Sequence, residues 1–519
     1  MTRINTNVPS MIARQRLNRS GADLQIRLER LSTGLRINRG KDDPAGLIIS
    51  ERISTELKGI EQAISNSERA SSVIATTEGS LTEINDLLNS IKALTVEAAN
   101  SGAISDEERD ANQLQIDSAI QSITRIANTA TFGGQKLLDG SLGYTTSGVT
   151  VSTITKSSIT AASFINASAI NVSVDVIASA QKGSIYLSGD NSAVAGPPAD
   201  GIIVSATTIQ VRGPKGVREL EILSGTALSA VAASVNALTG LTGVTASLVS
   251  GANQSSGLVF QSDGYGSNNF VSVERLNKPT VAASDNFRTF KLDGNADVPA
   301  DVWADPSLVS GTRDDGRDVS ALINGNVASG DGLTVSIGSP SLALKLDLAE
   351  SYGLDPTLSV STFDITGGGS LYQLGPSVNA LQQSNIGIQS IAAEALGGVL
   401  SAGTVNFLSS LQTGKANSLA AADASRDYST LSDIVDAAID DVSILRGRLG
   451  AFERNVLDAN SRSLQGAFEN LTASQSLIRD ADFAAESSEL TRAQILQSSG
   501  TTVLSLANQQ SQQVLQLLG

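Results

Sequence analysis

The side chains that carry most protein chemistry are scarce in this sequence of 519 residues. It contains no histidine and no cysteine, so it lacks imidazole acid–base catalysts, thiol nucleophiles, disulfides and zinc sites with Cys or His ligands. The nearest acidic cluster is Asp314, Asp315 and Asp318. A pair of carboxylates could hydrolyse a glycosidic bond, but such a cluster is more typical of a solvated turn. We therefore predict no enzyme activity, no metal site and no cofactor.

Charge and hydropathy limit the partners in the same way. The net charge is −16 and the pI about 4.6, which disfavours a nucleic acid or an anionic membrane surface as a partner. No apolar run approaches the roughly 20 residues of a membrane span. Residues 1–7 lack the apolar core of a secretory signal. We expect a chain that is either cytoplasmic or exported without a cleaved signal.

A stripe of leucines near the N-terminus predicts the first supporting element. Leu24, Leu28, Leu31 and Leu35 are spaced by four, three and four residues, which places them at the a and d positions of a coiled coil. Six arginines make this segment basic. They either form a solvated helix face or meet acidic groups elsewhere in the same chain. They are Arg14, Arg16, Arg19, Arg27, Arg30 and Arg36.

A polar spacer separates this helix from a much longer one. Asp43 followed by Pro44 is a helix-start signal, because Asp caps free backbone N–H groups and Pro suits the first helical position. The predicted helix runs from 44 to about 100, or roughly 80 Å, which is typical of a rod in a bundle. Ser105 and Glu108 then form a capping box and predict a third helix. The seam of the long helix begins Ile53, Leu57, Ile60, Ile64.

The same helical pattern returns at the C-terminal end. Nine positions hold a spacing of four and three, and Asp480 and Asp482 open a further helix, acidic in its first turn as the helix dipole favours. The nine are Leu431, Val435, Ala438, Val442, Leu445, Leu449, Phe452, Val456 and Ala459. The last helix continues through Leu496, Gly500, Val503, Ala507, Gln510, Val514 and Leu517.

Between the helical ends the sequence predicts β-structure. Ser, Thr, Gly and Val dominate residues 140 to about 400, and runs such as 244–248 and 342–348 alternate apolar and polar residues. One helix interrupts them near 228–238. We predict an α+β fold, in which long terminal α-helices form a coiled coil and a helical bundle and a β-rich insertion lies between them. Residues 1–36 are expected to pair with 480–519.

Both ends of the chain resemble bacterial flagellin. At residues 28–53 the sequence reads LERLSTGLRINRGKDDPAGLIISERI, and at 478–496 it reads IRDADFAAESSELTRAQIL, followed by VLSLANQQSQQVLQLLG at 503–519. The stretch TGGGSLYQLGPSVNALQQSNIGI at 366–388 is similar to the entry to the flagellin C-terminal core. Residues 208–273 resemble an insert module found in many flagellins.

The resemblance implies a structural subunit of the flagellar filament. Such a subunit is exported unfolded through the flagellar type III apparatus, without a cleaved signal, and polymerises outside the cell into a helical tube. The implied partners are other copies of the chain, an export chaperone at the C-terminal segment, the filament cap and the hook-junction proteins. The alternative is a hook–filament junction protein of the same superfamily.

The resemblance also implies a division into domains. Residues 1–43 with 480–519 would form an inner coiled-coil tube, and 44–140 with 366–479 a helical-bundle core. Residues 141–290 and 291–365 would be an outer and a second β-rich insert.

The resemblance and the sequence pattern together give expected roles in channel lining, receptor binding and self-assembly to particular side chains. Gln509, Gln510, Gln512 and Gln513 would line a polar channel. The positions at which an innate immune receptor binds many flagellins correspond to Ser90, Leu94 and Gln115, where a basic residue, Leu and Glu are usual. The self-assembly seam would comprise Leu24, Leu28, Leu31, Leu35, Ile53, Leu57, Leu445, Leu449, Phe452, Val456, Leu496, Val503, Val514 and Leu517. Substitution of Leu31 or Leu449 by Asp is expected to block polymerisation.

Overall fold

The computed structural model describes residues 6–100, 102–162, 164, 167–187, 201–203, 205–251, 253–277, 287–293, 302–339, 342–401, 404–425 and 427–518. The chain forms two compact units. Unit 1 contains residues 1–71, 373–382 and 453–519, and unit 2 contains residues 72–372 and 383–452.

Long helices lie at both ends of the chain, as the sequence predicts. Their bounds are α1 Val8–Thr33, α2 Pro44–Ala98, α3 Asp106–Thr129, α4 Leu228–Asn236, α5 Thr239–Thr242, α6 Glu350–Gly353, α7 Leu419–Ser425, α8 Ser429–Phe452, α9 Asp458–Arg479 and α10 Phe483–Leu518. One turn of π-helix, Glu453–Leu457, lies between α8 and α9. No helix in the described ranges has the length and apolar character needed to cross a bilayer.

The helix starts follow from local side chains. The Asp43 carboxylate accepts the Gly46 N–H at 2.9 Å at the start of α2, and Asp482 accepts the N–H of Ala484 at the start of α10 at the same distance. Ser105 and Glu108 form the predicted capping box of α3. These carboxylates and hydroxyls satisfy backbone donors that a helix N-terminus leaves free.

In unit 2 the second half of α2 packs against α8. Lys92 of α2 contacts Asp436, near the start of α8, at 2.5 Å. Glu78, earlier in α2, lies beside Gly450, near the end of α8. The two helices therefore run antiparallel. Buried positions recur every three or four residues along α2, and α8 buries a matching stripe. On α2 they are Ile74, Thr77, Leu81, Ile84, Leu88, Ile91, Thr95 and Ala98, and on α8 Leu431, Ile434, Val435, Ala438, Val442, Leu445 and Leu449.

The central region of unit 2 consists of antiparallel strands. They are β1 Thr131–Phe132, β2 Gln135–Lys136, β3 Tyr144–Ser147, β4 Ile154–Ala162, β5 Ile170–Ala178, β6 Ser184–Leu187, β7 Ile202–Ile203, β8 Thr207–Gly213, β9 Gly216–Ile222, β10 Thr226–Ala227, β11 Val244–Leu248, β12 Leu258–Ser262, β13 Phe270–Arg275, β14 Thr289–Leu292, β15 Leu308–Ser310, β16 Arg313–Asp315, β17 Ser320–Ile323, β18 Asn326–Val327, β19 Ser329–Asp331, β20 Thr334–Gly338, β21 Leu342–Leu348, β22 Ser361–Gly368, β23 Ser370–Gln373, β24 Gln383–Ile386, β25 Val399–Ser401 and β26 Thr404–Asn406.

Most of these strands build two β-sandwiches. The first sandwich has the sheets β18-β17-β5-β22-β3 and β19-β20-β21-β4, which enclose one apolar core. The second sandwich has the sheets β11-β12-β6-β14-β15 and β16-β13-β8-β9, and its core also takes the apolar face of α4. The α+β class, the strands at 244–248 and 342–348 and the helix near 228–238 are confirmed.

The sheets divide this region differently from the consecutive inserts, 141–290 and 291–365, that were expected. The second sandwich is inserted into the first, between β5 and β17, and the expected boundary at 290 falls inside β14. The reason is long-range pairing: β5 pairs with β17 and β22, and β4 pairs with β21. Local alternation predicts strands but not such partners.

Candidate assembly site

Helices α1 and α10 form an antiparallel pair within unit 1. The Asn7 side-chain amide donates to the Ala507 carbonyl at 3.1 Å, and the Ser20 hydroxyl donates to the Ala493 carbonyl at 3.4 Å. The pairing of the two segments continues beyond α1, where the Arg36 N–H donates to the Arg479 carbonyl at 2.7 Å. The predicted pairing of residues 1–36 with 480–519 is therefore confirmed for the described residues.

Leucines alternate with small and polar residues in the contact stripe between the two helices. The buried and half-buried positions recur at intervals of three and four residues on both helices, as in a coiled coil. A Cβ on Gly500 would lie 3.2 Å from Leu17 Cδ1, so the helices are close together at this point. The stripe contains Ser10, Ala13, Leu17, Ser20, Leu24, Arg27 and Leu31 on α1, and Glu486, Leu490, Ala493, Gln497, Gly500, Leu504 and Ala507 on α10.

A buried carboxylate lies at the N-terminal end of α10. Glu486 accepts hydrogen bonds from Arg27 at 2.8 Å and from Arg30 at 3.0 Å. Burial alone would raise the pKa of the Glu486 carboxyl, but these two hydrogen bonds outweigh it and hold the pKa below its ordinary value. Both interpretations of the arginines hold in part, because Arg14 and Arg19 are exposed, whereas Arg27 and Arg30 meet an acidic group far along the chain.

This ion-pair cluster predicts an acid-sensitive helix pair. Because the folded-state pKa of Glu486 is below its unfolded value, its stabilising contribution is present above the unfolded pKa and is lost as pH falls through the folded pKa. We expect protection of the α10 amides from hydrogen exchange to fall as the pH drops below the ordinary pKa of a glutamate carboxyl.

Substitution of Glu486 measures its contribution to the stability of the α1–α10 helix pair. Glu486→Gln should weaken the helix pair by about 1–2 kcal/mol at pH 7; this value allows for the partial exposure of both arginines. The protection of the α10 amides should then depend less on pH. Glu489→Gln, on the same helix, is the matched control. An unchanged acid transition in Glu486→Gln would show that other carboxylates control it.

The predicted seam residues of α1 and α10 fall into two groups. Leu24 and Leu31 lie in the contact stripe, and Leu35 is half-buried and pairs with Asp480. Leu28 is 48% exposed, Leu496 52% and Val503 55%. Val514 and Leu517 belong to α10, but their side chains lie outside those described.

The exposed group belongs to a larger set of exposed apolar side chains on the two helices. We call it the outer stripe; it contains Val8, Met11, Ile12, Leu28, Phe483, Ile495, Leu496, Val503 and Leu506. These side chains contribute little to the fold of the described chain and are available to another molecule.

The remaining seam residues are already packed inside the subunit. In unit 1, Leu57 is buried and Ile53 and Val456 are half-buried. In unit 2, Leu445 and Leu449 are buried in the helical core. Phe452, also in unit 2, packs against the ring of Tyr372 with their centroids 6.1 Å apart.

Comparison with known proteins decides the family. Residues 4–142 match the family model of the bacterial flagellin N-terminal helical region, and residues 432–518 that of the bacterial flagellin C-terminal helical region. A flagellin of Salmonella choleraesuis is 30% identical over 524 residues, which cover 99% of each chain. The chain belongs to the bacterial flagellin family. It is a structural subunit of the flagellar filament.

Other flagellar proteins show similarity over part of the chain. The B-type flagellin of Pseudomonas aeruginosa is 43% identical over 143 residues, which are 28% of this flagellin and 29% of that one. A solved flagellar hook-associated protein-3 of Legionella pneumophila covers 82% of this chain and 98% of its own, at 12% identity and a TM-score of 0.30. At that level of structural similarity, the assignment depends on the sequence relatives.

The glutamines expected to line a channel lie near the end of α10. Gln509, Gln510, Gln512 and Gln513 are all exposed. Their uncharged side chains are free to face solvent or another copy of this flagellin.

The expected receptor positions lie on α2 and α3, in unit 2. Ser90 and Gln115 are exposed and Leu94 is half-buried. The nearby Lys92 is held by Asp436 and by the Ser432 hydroxyl, each at 2.5 Å, so it is not a free substitute for a basic residue at position 90. We predict weak activation of the innate immune receptor by this flagellin.

Restoring the usual charges tests that prediction. Ser90→Arg with Gln115→Glu should raise receptor activation about tenfold or more, since each new charge-assisted pair can contribute about 1.5–3 kcal/mol. The measurement is a reporter-cell dose–response curve with purified protein. Thr82→Arg, an exposed position on the same helix, controls for added charge. An equal response to the parent and the double variant would contradict the assignment of these positions.

Proposed function

We propose that this flagellin subunit polymerises by burying the outer stripe of α1 and α10 against other copies of the chain. The exposure of the outer stripe is the observation that carries the proposal, because its members Leu496, Val503 and Leu506 share one face of α10 and form an apolar patch of the kind that marks an interaction site. Full burial of one such side chain contributes about 1.5–3 kcal/mol. Several together could offset the entropy that each subunit loses on joining a polymer.

Copies that contact one another head to tail without closing a ring form a helical filament. In this proposal residues 1–43 and 480–519 form the inner tube, and 44–140 with 366–479 form the helical layer around it. The exposed amides of Gln509, Gln510, Gln512 and Gln513 would face the central channel, where uncharged polar groups attract an unfolded chain only weakly.

The proposal includes export of the subunit in an unfolded state. The absence of cysteine fits this, since an unfolded chain without thiols cannot form wrong disulfides. A chaperone would cover the apolar C-terminal segment before export, and the cap and hook-junction proteins would meet the same terminal helices that bind other copies.

Polymerisation of the purified chain tests the central claim. The intact chain and a version without residues 1–36 and 480–519 are incubated with precipitant or filament seeds and viewed by electron microscopy. We expect long filaments only from the intact chain. Filaments from the shortened chain would refute the role of the terminal helices. A seeded intact chain that remains soluble would favour a hook–filament junction protein that needs another partner.

A further inference from the structure

Two chain segments connect the β-sandwiches of unit 2. Residues 179–183 lead into the second sandwich and residues 316–319 lead out of it. They pair with each other: the Gln181 N–H donates to the Arg317 carbonyl at 2.8 Å, and the Arg317 N–H donates to the Gln181 carbonyl at 2.9 Å. A neck of two extended segments would still allow the sandwiches to bend and twist relative to each other.

A loop of the second sandwich returns to the first and forms a third connection. This brace loop comprises residues 264–269. Its aromatic ring, Tyr265, packs against the apolar core of the first sandwich. The Tyr265 hydroxyl donates a hydrogen bond to the carboxylate of Glu350. Burial, together with that anionic acceptor, raises the pKa of Tyr265, so the hydroxyl keeps its proton and remains a donor at neutral pH.

Asp318 of the neck binds the brace loop and the first sandwich together. One carboxylate oxygen accepts the Ser267 N–H at 3.0 Å and the Gly332 N–H at 2.8 Å. The other accepts the Ser267 hydroxyl at 2.6 Å. Burial alone would raise the pKa of Asp318, but these hydrogen bonds hold it below its ordinary value. One ionised side chain therefore links Ser267 of the second sandwich to Gly332 of the first.

Backbone packs directly on backbone at this junction. Gly266 has φ +99°, and a Cβ there would lie 2.5 Å from Asp318 Oδ1 and 2.6 Å from the Gly332 nitrogen. A Cβ on Gly316 would lie 2.5 Å from the Gly266 carbonyl oxygen. Side chains that repack could allow the surfaces to slide, but backbones in contact leave little freedom of that kind.

We infer that the brace loop locks the two sandwiches into a single rigid arm, with Tyr265 and Asp318 as the residues that hold it. This third connection, which bonds to both neck segments, opposes the bending and twisting that a two-segment neck allows. The second sandwich then keeps one orientation relative to the first.

Spin-label distances in the full-length monomer measure this rigidity. The chain has no cysteine, so Val327→Cys on the first sandwich and Leu223→Cys on the second give two unique labelling sites, both exposed. We expect a narrow distance distribution in this labelled parent. Tyr265→Ala with Asp318→Ala should at least double its width. Asp364→Ala is the matched control, because Asp364 accepts a side-chain hydrogen bond from Asn171 within the first sandwich, at 2.9 Å.

A milder variant covers the case in which the double substitution disturbs folding. Asp318→Asn keeps the size of the side chain but replaces one acceptor oxygen with a donor. Hydrogen exchange at the Ser267 and Gly332 amides should accelerate tenfold or more, whereas amides in β5 and β12 should be unchanged. A broad distance distribution in the parent, an equally narrow one in Tyr265→Ala with Asp318→Ala, or unchanged exchange in Asp318→Asn would each overturn the inference.

Discussion

Substitution of Leu496 and Val503 by Asp together should abolish filament formation while the monomer stays folded. Both side chains belong to the outer stripe and are about half exposed, so a carboxylate at either position remains hydrated in the monomer. In a filament, the same carboxylates would be taken out of water without a partner. The loss of two apolar contacts of about 1.5–3 kcal/mol each should raise the critical concentration at least about 100-fold.

The control for this prediction carries the same chemical change on another surface. Leu223 and Val327 are as exposed as the outer stripe but lie on the β-sandwiches. Leu223→Asp with Val327→Asp should polymerise like the parent. Sedimentation of seeded samples gives the critical concentration, and circular dichroism checks the monomer fold. Normal filaments from the Leu496→Asp, Val503→Asp variant would exclude the outer stripe as the assembly surface.

The helix bounds could be predicted because their signals are local. Asp43 before Pro44 and the Ser105–Glu108 box act on backbone groups within one turn, and the structure uses both. The buried stripe of α2 could likewise be predicted, since its large apolar residues repeat at three and four positions.

The contact stripe of α10 could be predicted only in part. The sequence pattern selects the large apolar residues Leu496 and Val503, but both are exposed. The positions that face α1 include Ala493, Gln497 and Gly500. Small residues bury little apolar area and so add little to a periodicity signal, although they allow two helices to approach closely. Of the predicted positions, Gly500 and Ala507 do face α1.

The Glu486 ion pairs and the nesting of the β-sandwiches depend on long-range contacts that local sequence patterns do not reveal. Nothing near Glu486 indicates that Arg27 and Arg30 will bind it, because they lie more than 450 residues away. The nested order of the β-sandwiches is of the same kind. The alternation of apolar and polar residues predicts where strands lie. Which strands pair with each other depends on long-range contacts in the whole core.

Replacing Leu449 with Asp should also stop polymerisation, but for a different physical reason from that expected of a seam residue. Leu449 is 0% exposed in the helical core of unit 2, where a charge would be buried without a partner and the apolar contacts of Leu would be lost. We expect the free energy of unfolding to fall by about 4 kcal/mol or more. Thermal unfolding followed by circular dichroism measures this directly.

Leu449→Met separates the two explanations, because it keeps the volume and apolar character of the site and should cost less than about 1.5 kcal/mol. It should therefore polymerise normally. An unchanged melting temperature of Leu449→Asp, together with a loss of filaments, would contradict this explanation. Leu449 would then have to act between subunits and be exposed in the free monomer. The pair of unfolding curves thus distinguishes a residue that builds the subunit from residues such as Leu496 and Val503, which are exposed until subunits meet.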